Sequence, residues 1–177
     1  MDYTFFYDKT SPFSNFHNAR FTLYGQDFTS SEQAFMWCKA WLFGDTDIAK
    51  KILVAKTPFE AKKLGRKVGG FNETMWQAMR TRVMYMVIVA KFGQNVDLWE
   101  KLESTIGTKM VEAAPKDMVW GIWLSEEDAK KTPESEWKGQ NLLGKMLTKY
   151  REDKIHGKVK IMSLESILQI GVSTMVK

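Results

Sequence analysis

The sequence predicts an α+β fold that is mainly helical, with a small sheet, in a single domain. Three observations predict it. Short aromatic and β-branched stretches crowd the residues before Ser30, apolar residues then recur at helical spacing, and 177 residues with a 44% hydrophobic fraction suffice for one core. Domains usually hold about 100–200 residues, so the length asks for no second one.

The first strand is Tyr3-Thr4-Phe5-Phe6-Tyr7, and Asp8 to Pro12 is the turn that ends it. After Phe13-Ser14-Asn15-Phe16 come Phe21-Thr22-Leu23-Tyr24 and Asp27-Phe28, separated by a Gly25-Gln26 turn, a small sheet feeding the first helix. Ser14 and Asn15 lie in a loop, where such side chains either bond their own backbone or turn an amide toward a ligand.

Thr29 followed three residues later by Glu32 forms a capping box, and the apolar run Phe35-Met36-Trp37 begins behind it, so a helix starts here and runs to Phe43-Gly44. Positions seven apart fall nearly on one line of a helix, which places Glu32 and Lys39 on the line that carries Phe35 and Met36. An acid and an amine on a buried line are not both comfortable in a dry core. Either the line opens into a cleft, or Glu32 caps the helix and Lys39 extends its amine to water.

Asp45-Thr46-Asp47 caps a second helix, Ile48 to Ala55, and Thr57-Pro58-Phe59-Glu60 starts a third that ends near Gly65. Arg66-Lys67-Val68-Gly69-Gly70 is basic and glycine-bearing. It lets Arg66 and backbone amides approach a phosphate or serves as a solvated connector, and it lacks the full phosphate-loop pattern. Asn72 caps the longest helix, whose positions Met75, Trp76, Met79, Val83, Met86, Val87 and Ala90 recur at helical spacing up to Gly93. Trp76, in its first turn, is core or a stacking platform.

Asp97 to Ile106 reads as an amphipathic helix stopped by Gly107, and Thr108 to Glu112 as a strand. Val119 to Ser125 alternates large residues around Gly121, the pattern of a strand whose backbone something approaches closely. Glu126 to Glu136 reads as a charged surface loop, and Trp137-Lys138-Gly139-Gln140-Asn141 leads into a leucine-faced helix, Leu142 to Arg151. The remainder, Ile155 to Lys177, reads as an edge strand around Val159-Lys160-Ile161 and a short helix carrying Leu164, Ile167 and Leu168.

The net charge of +5 and a pI near 9.2 suit a phosphate-bearing ligand or a nucleic acid, but the lysines are scattered. His17, His156 and Cys38 make no zinc constellation, and no cofactor is expected. One cysteine and the lack of a charged-then-apolar leader point to a reducing, cytoplasmic setting. No apolar run approaches the roughly 20 residues that cross a bilayer, so no membrane partner is expected. The distinctive polar groups are Glu32, Lys39, Glu112 and Asp117, beside Trp120-Gly121 and Trp137-Lys138-Gly139. Carboxylates, a lysine and aromatics suit cleavage of a bond to a sugar carbon: the leaving base needs a proton, the oxocarbenium-like transition state an anion, and a flat base a stacking surface.

Phe13-Ser14-Asn15-Phe16, Thr29-Ser30-Ser31-Glu32-Gln33-Ala34-Phe35 with Lys39, Trp120-Gly121-Ile122 and Trp137-Lys138-Gly139-Gln140-Asn141-Leu142-Leu143-Gly144 resemble, in order, the motifs of the NADAR or YbiA-like family. The resemblance implies an α+β domain over residues 1–154, leaving 155–177 as an extension. It also implies hydrolysis of N-glycosidic bonds in substrates such as ribosylamino-pyrimidine phosphates of riboflavin synthesis or ADP-ribose attached to guanine, in nucleic acid included. Carried over by position, Glu32 is the active-site acid, Asp117 a second acid, Trp76 and Trp120 pocket aromatics, and Lys39 and Asn15 polar pocket groups. Arg66, Gly121, Lys138 and Asn141 complete the expected substrate contacts. Lys39 opens a second route, capture of a ring-opened sugar as an imine. Gln140 stands where the family commonly has lysine, a departure that puts a phosphate contact from that position in doubt. The competing readings are a module that binds ADP-ribose or nucleic acid without cleaving it, and a basic nucleic-acid-binding domain whose affinity falls steeply with salt.

Overall fold

The computed structural model describes residues 1–176. The mainly helical α+β class holds, and the chain divides into two compact units interleaved in sequence: Met1–His17 with Val96–Val159, and Asn18–Asn95 with the segment from Lys160 on. The strands do not make one small sheet. Among the described residues they form two separate two-stranded ladders, one in each unit.

In the first unit, β1 (Asp2–Phe6) pairs in parallel with β4 (Thr108–Glu112), Tyr3 opposite Lys109 and Phe5 opposite Val111. A parallel pair needs a long connection, which here is everything between them. Val111, Ala113, Ile122 and Ala129 are buried beneath Tyr3, Phe5 and Trp137, whose rings lie 5.2–6.2 Å apart. Helix α5 (Val96–Glu103) packs on α7 (Leu142–Ile155), and α7 on β4. Arg151 of α7 is 2% exposed, yet its guanidinium is satisfied. It donates to Thr105 O and Oγ1 at 2.8 Å, to Thr108 O at 2.7 Å and to Glu152 Oε1 at 3.0 Å. An arginine can be buried when its forked donors meet fixed acceptors in this way.

Two expectations fail in this unit. Val119 to Ser125 is not a strand, because the carbonyls from Met118 to Ile122 are taken by a loop and the start of α7: Gln140 N–H donates to Met118 O, Leu142 to Val119, Leu143 to Trp120, Asn141 to Gly121 and Gly139 to Ile122. The charged stretch after it is not a plain loop. Ser125 accepts the Asp128 N–H and caps α6 (Glu126–Lys130), and a 3-10 turn follows at Glu134–Glu136.

In the second unit, β2 (Asn18–Leu23) and β3 (Gln26–Ser30) form an antiparallel hairpin. Its turn lies one residue earlier than expected, at Tyr24 (φ 51°) and Gly25 (φ 75°), the left-handed pair that matches strand twist. Helix α1 (Ser31–Leu42) packs on α2 (Thr46–Leu53), α3 (Pro58–Gly65) and α4 (Glu73–Gly93). Thr57 caps α3 and Asn72 caps α4, as their residue types predict. Helix α4 is buried without a break from Val83 to Ile88, which marks a central helix covered on every side.

The C-terminal segment completes this unit. Val159 to Ile161 forms no strand; Tyr24 donates to Met162 O at 2.7 Å, and Met162 N–H meets Met86 Sδ at 3.0 Å. Helix α8 (Leu164–Thr174) then lies along α4, where a Cβ in place of Gly171 would come 2.6 Å from Met79 Sδ. Among the described residues no helix is long and apolar enough to cross a membrane.

Candidate active site

Helix α1 begins one residue later than Thr29 and Glu32 suggest. Ser30 is the cap, its Oγ accepting Gln33 N–H at 3.1 Å, while Gln33 Oε1 accepts Thr29 N–H at 2.9 Å. Gln33 Nε2 donates to Ile52 O at 3.0 Å and so ties the end of α2 to the start of α1. The helix start is therefore held by Ser30 and Gln33, the Gln33 amide reaching back to the residue before the cap. Glu32 remains in the first turn, 7% exposed, where the helix dipole favours its anion.

Lys39 lies two turns further along the same line. Its Nζ donates to Gly65 O at 2.9 Å and sits 4.7 Å from the centre of the Phe71 ring and 5.7 Å from that of Trp76. Burial lowers its pKa below the ordinary lysine value, opposed by the nearby Glu73 and Glu32 carboxylates and assisted by Arg66. The amine thus neither lies in a dry core nor simply reaches water: a carbonyl and two ring faces replace much of its hydration. The carbonyl arrives because α3 ends in glycine. A Cβ at Gly65 would run into the Met36 side chain, so only glycine lets α3 come this close to α1.

The rings form a continuous set. Trp76 lies 5.2 Å from Phe35 and 6.2 Å from Phe43, and Phe43 lies 5.2 Å from Phe71. Trp76 is 7% exposed, whereas Phe71 is 42% exposed and presents its ring at the surface. Arg66 follows Gly65 as the exposed C-cap of α3. A surface cleft of about 310 Å³ opens at the end of α1, lined by Phe43, Gly44, Asp45, Thr46, Asp47, Gly69 and Gly70. Phe43 belongs to both the cleft and the ring set.

Glu32, Lys39, Arg66 and Trp76 belong to the second unit; Asn15, Asp117, Trp120, Gly121, Lys138 and Asn141 belong to the first. There, Asp117 Oδ1 accepts Val119 N–H at 2.9 Å and Trp120 N–H at 2.8 Å, a side-chain turn that fixes the half-buried Trp120. What approaches Gly121 is the chain itself: a Cβ there would lie 2.7 Å from Ala114 Cβ, and one at Gly139 would run into the Gly121 carbonyl. Asn141 adopts φ 54° and uses both ends of its amide on β4, accepting Glu112 N–H and donating to Met110 O, each at 3.0 Å. Lys138 is exposed in the same loop, and Asn15 is 9% exposed beside Ser14.

Sequence reasoning passes over Gly65, Phe71 and Phe43 as parts of a site. Phe43-Gly44 reads as a helix stop and Gly65 as a helix end, and nothing local marks Phe71, whose ring meets Phe43 and Lys39 through tertiary packing. Among the described residues no three histidine, cysteine, aspartate or glutamate side chains gather as metal ligands.

Residues 5–154 match the NADAR domain family. N-glycosidase R617 of Acanthamoeba polyphaga mimivirus is 42% identical over 127 residues, covering 72% of this chain and 75% of that protein. Protein irg-1 of Caenorhabditis elegans is 38% identical over 167 residues, covering 85% of this chain and 79% of its own length. The NMR structure of the E. coli protein YbiA superposes with a TM-score of 0.72 at 26% identity, covering 92% of this chain and 90% of that one.

Proposed function

Since this chain belongs to the NADAR family, we propose that it hydrolyses the N-glycosidic bond that joins ADP-ribose or a phosphoribose to a base or amine. Cleavage of an N-glycosidic bond is supported by the name of the relative R617, an N-glycosidase, over three quarters of its length. The substrate class rests on chemistry. The exposed Arg66 and the overall positive charge suit a phosphate, and the ring set around Phe43, Phe71 and Trp76 suits a flat base or sugar face. ADP-ribosylated guanine and the ribosylamino-pyrimidine phosphates of riboflavin synthesis both meet these demands.

The observation that carries the reading is the placement on α1, two turns apart, of a buried carboxylate and an amine set against two rings. In the direct route, water adds to C1 of the sugar, the C1–N bond breaks and the leaving nitrogen takes a proton. Glu32 accepts the proton of the attacking water and steadies the positive charge that develops on the ring.

The state of Lys39 favours a second route. The sugar ring opens with cleavage of C1–O4, the Lys39 amine adds to C1 and the base departs with a proton. Water then hydrolyses the resulting imine, returning free sugar and free amine. A pKa lowered by burial raises the share of neutral amine, the form this route requires.

The test is incubation with ADP-ribosylated guanine in DNA, with the riboflavin intermediates and with NAD, assaying released sugar, with and without borohydride. Sugar release that Glu32→Gln abolishes is the expected result. A mass adduct at Lys39 after reduction selects the second route, and its absence under turnover removes it. Tight binding of ADP-ribose with no sugar released from any of these substrates overturns the reading in favour of a binding module.

A further inference from the structure

Asp45 does more than its place at the start of α2 demands. Capping needs one side-chain oxygen, and Asp45 Oδ1 supplies it, accepting Ile48 N–H at 3.0 Å; serine or asparagine would serve equally well. The second oxygen crosses to another element, where Oδ2 accepts Gly69 N–H at 2.8 Å. Asp45 is itself fixed to α1, because its N–H donates to Ala40 O at 2.9 Å.

The connector between α3 and α4 is therefore held at two points, by the last turn of α1 and by the cap of α2. Gly65 O receives the Lys39 amine, and Gly69 N–H is held by Asp45. Gly70 then turns the chain with φ 70°, pressed so close that a Cβ would lie 3.1 Å from Phe43 O. The next residue is Phe71, whose ring rests 5.2 Å from Phe43 and 4.7 Å from Lys39 Nζ. The bond to Gly69 thus fixes the chain two residues before a large apolar ring that is 42% exposed.

We propose that Asp45 is a positioning residue for Lys39: by holding the Gly69 amide it fixes the connector so that Phe71 covers the amine. The inference rests on the reading of Lys39 as a functional amine in the preceding subsection. Its physical content is the hydration of that amine. The charged groups that act on Lys39 are Glu32 on its own helix, Glu73 in the first turn of α4 and Arg66 at the end of α3; Asp45 is not among them, so it acts through the Phe71 ring and not through its charge. The carboxyl of Asp45 is itself held below its usual pKa by the Gly69 and Ile48 amides, so the tie persists through the neutral range.

The test reads Lys39 directly, in the full chain without substrate. Brief pulses of acetic anhydride over a pH series, with peptide mass spectrometry, give the midpoint at which Lys39 becomes reactive; exposed Lys138 serves as the internal reference. Asp45→Ser keeps a capping hydroxyl for Ile48 and loses the bond to Gly69. Phe71→Ala removes the cover and leaves the α2 cap untouched. The expected result is an upward shift of the Lys39 midpoint in both variants, with the Lys138 midpoint unmoved. A wild-type midpoint in Asp45→Ser beside a shifted one in Phe71→Ala overturns the role of Asp45; wild-type midpoints in both overturn the role of the cover. Because no turnover is measured, these outcomes stand apart from failure of the functional reading, which would appear as full activity in Lys39→Met.

Discussion

Gln33 accepts the backbone N–H of Thr29 at 2.9 Å, and together with the Ser30 cap that bond closes the start of helix α1. Gln33→Ala should lower stability by about 1–3 kcal/mol, the scale of losing a cap and leaving buried partners unsatisfied, seen as a lower urea midpoint. Glu32→Gln, which keeps the shape of the side chain, should reduce turnover about 10²–10⁴-fold, the usual contribution of a general base. Equal stability losses in the two variants, with activity kept in Glu32→Gln, would return Glu32 to a structural role.

The Lys39 amine gives a pH prediction with a definite sign. Burial lowers its pKa, so neutral amine accumulates at a lower pH than for an exposed lysine. If the amine is the nucleophile, kcat/KM climbs with pH through a limb that lies below the ordinary lysine range. Lys39→Arg, which stays protonated, should abolish that limb and with it most of the activity. A profile that Lys39→Arg leaves unchanged would show that the amine does not enter the rate.

Lys91 predicts how stability responds to pH. It is 1% exposed in α4, and burial pushes its pKa from 10.5 down to about 7. Below that value the folded protein carries the charge at a buried site. Between about 7 and 10.5 the folded amine is neutral while the unfolded one is protonated, so the unfolded chain holds the extra proton and stability rises with pH. Lys91→Met should lose this rise, amounting at most to about 1.4 kcal/mol per pH unit. Urea titrations of both proteins on the two sides of neutrality measure the difference, and parallel curves would refute it.

Asn141 is a clasp rather than a surface amide. Asn141→Ala gives up two hydrogen bonds to β4 and forces a Cβ-bearing residue without a helpful side chain to hold φ 54°, a loss of about 2–4 kcal/mol. Asn141→Gly relieves the backbone and should lose about 1 kcal/mol less. Unfolding midpoints rank the two, and the reverse order would show that the backbone conformation is not what the asparagine supplies.

Local signals carried most of the helices. Asp45, Thr57 and Asn72 cap helices as their residue types predict, because the capping bond spans only three residues. Where two cap candidates stand side by side the choice passes to tertiary structure: Ser30 prevails over Thr29 because Gln33 is needed against Ile52 and Leu53. Val119 to Ser125 has the alternation of a strand and forms none, since no local pattern announces that residues 139–143 will claim its carbonyls. The Glu32 and Lys39 line was legible from helical periodicity, but what meets the amine was not. Gly65 and Phe71 reach Lys39 from across the unit, at 26 and 32 residues' remove, and such contacts leave no periodic trace.

The parallel ladder of β1 and β4 also dictates an order of events during synthesis. The first strand emerges with no neighbour to bond, and its partner is not made until residue 112 has been added, after all of residues 18–95. Helix α4 is likewise completed at residue 93 and must wait for α8, which starts at residue 164, before its methionines are covered. Neither half of the molecule can therefore be finished on the ribosome before the other is nearly complete. A chain halted in between leaves a sticky helix or a bare strand edge within reach of chaperones and proteases.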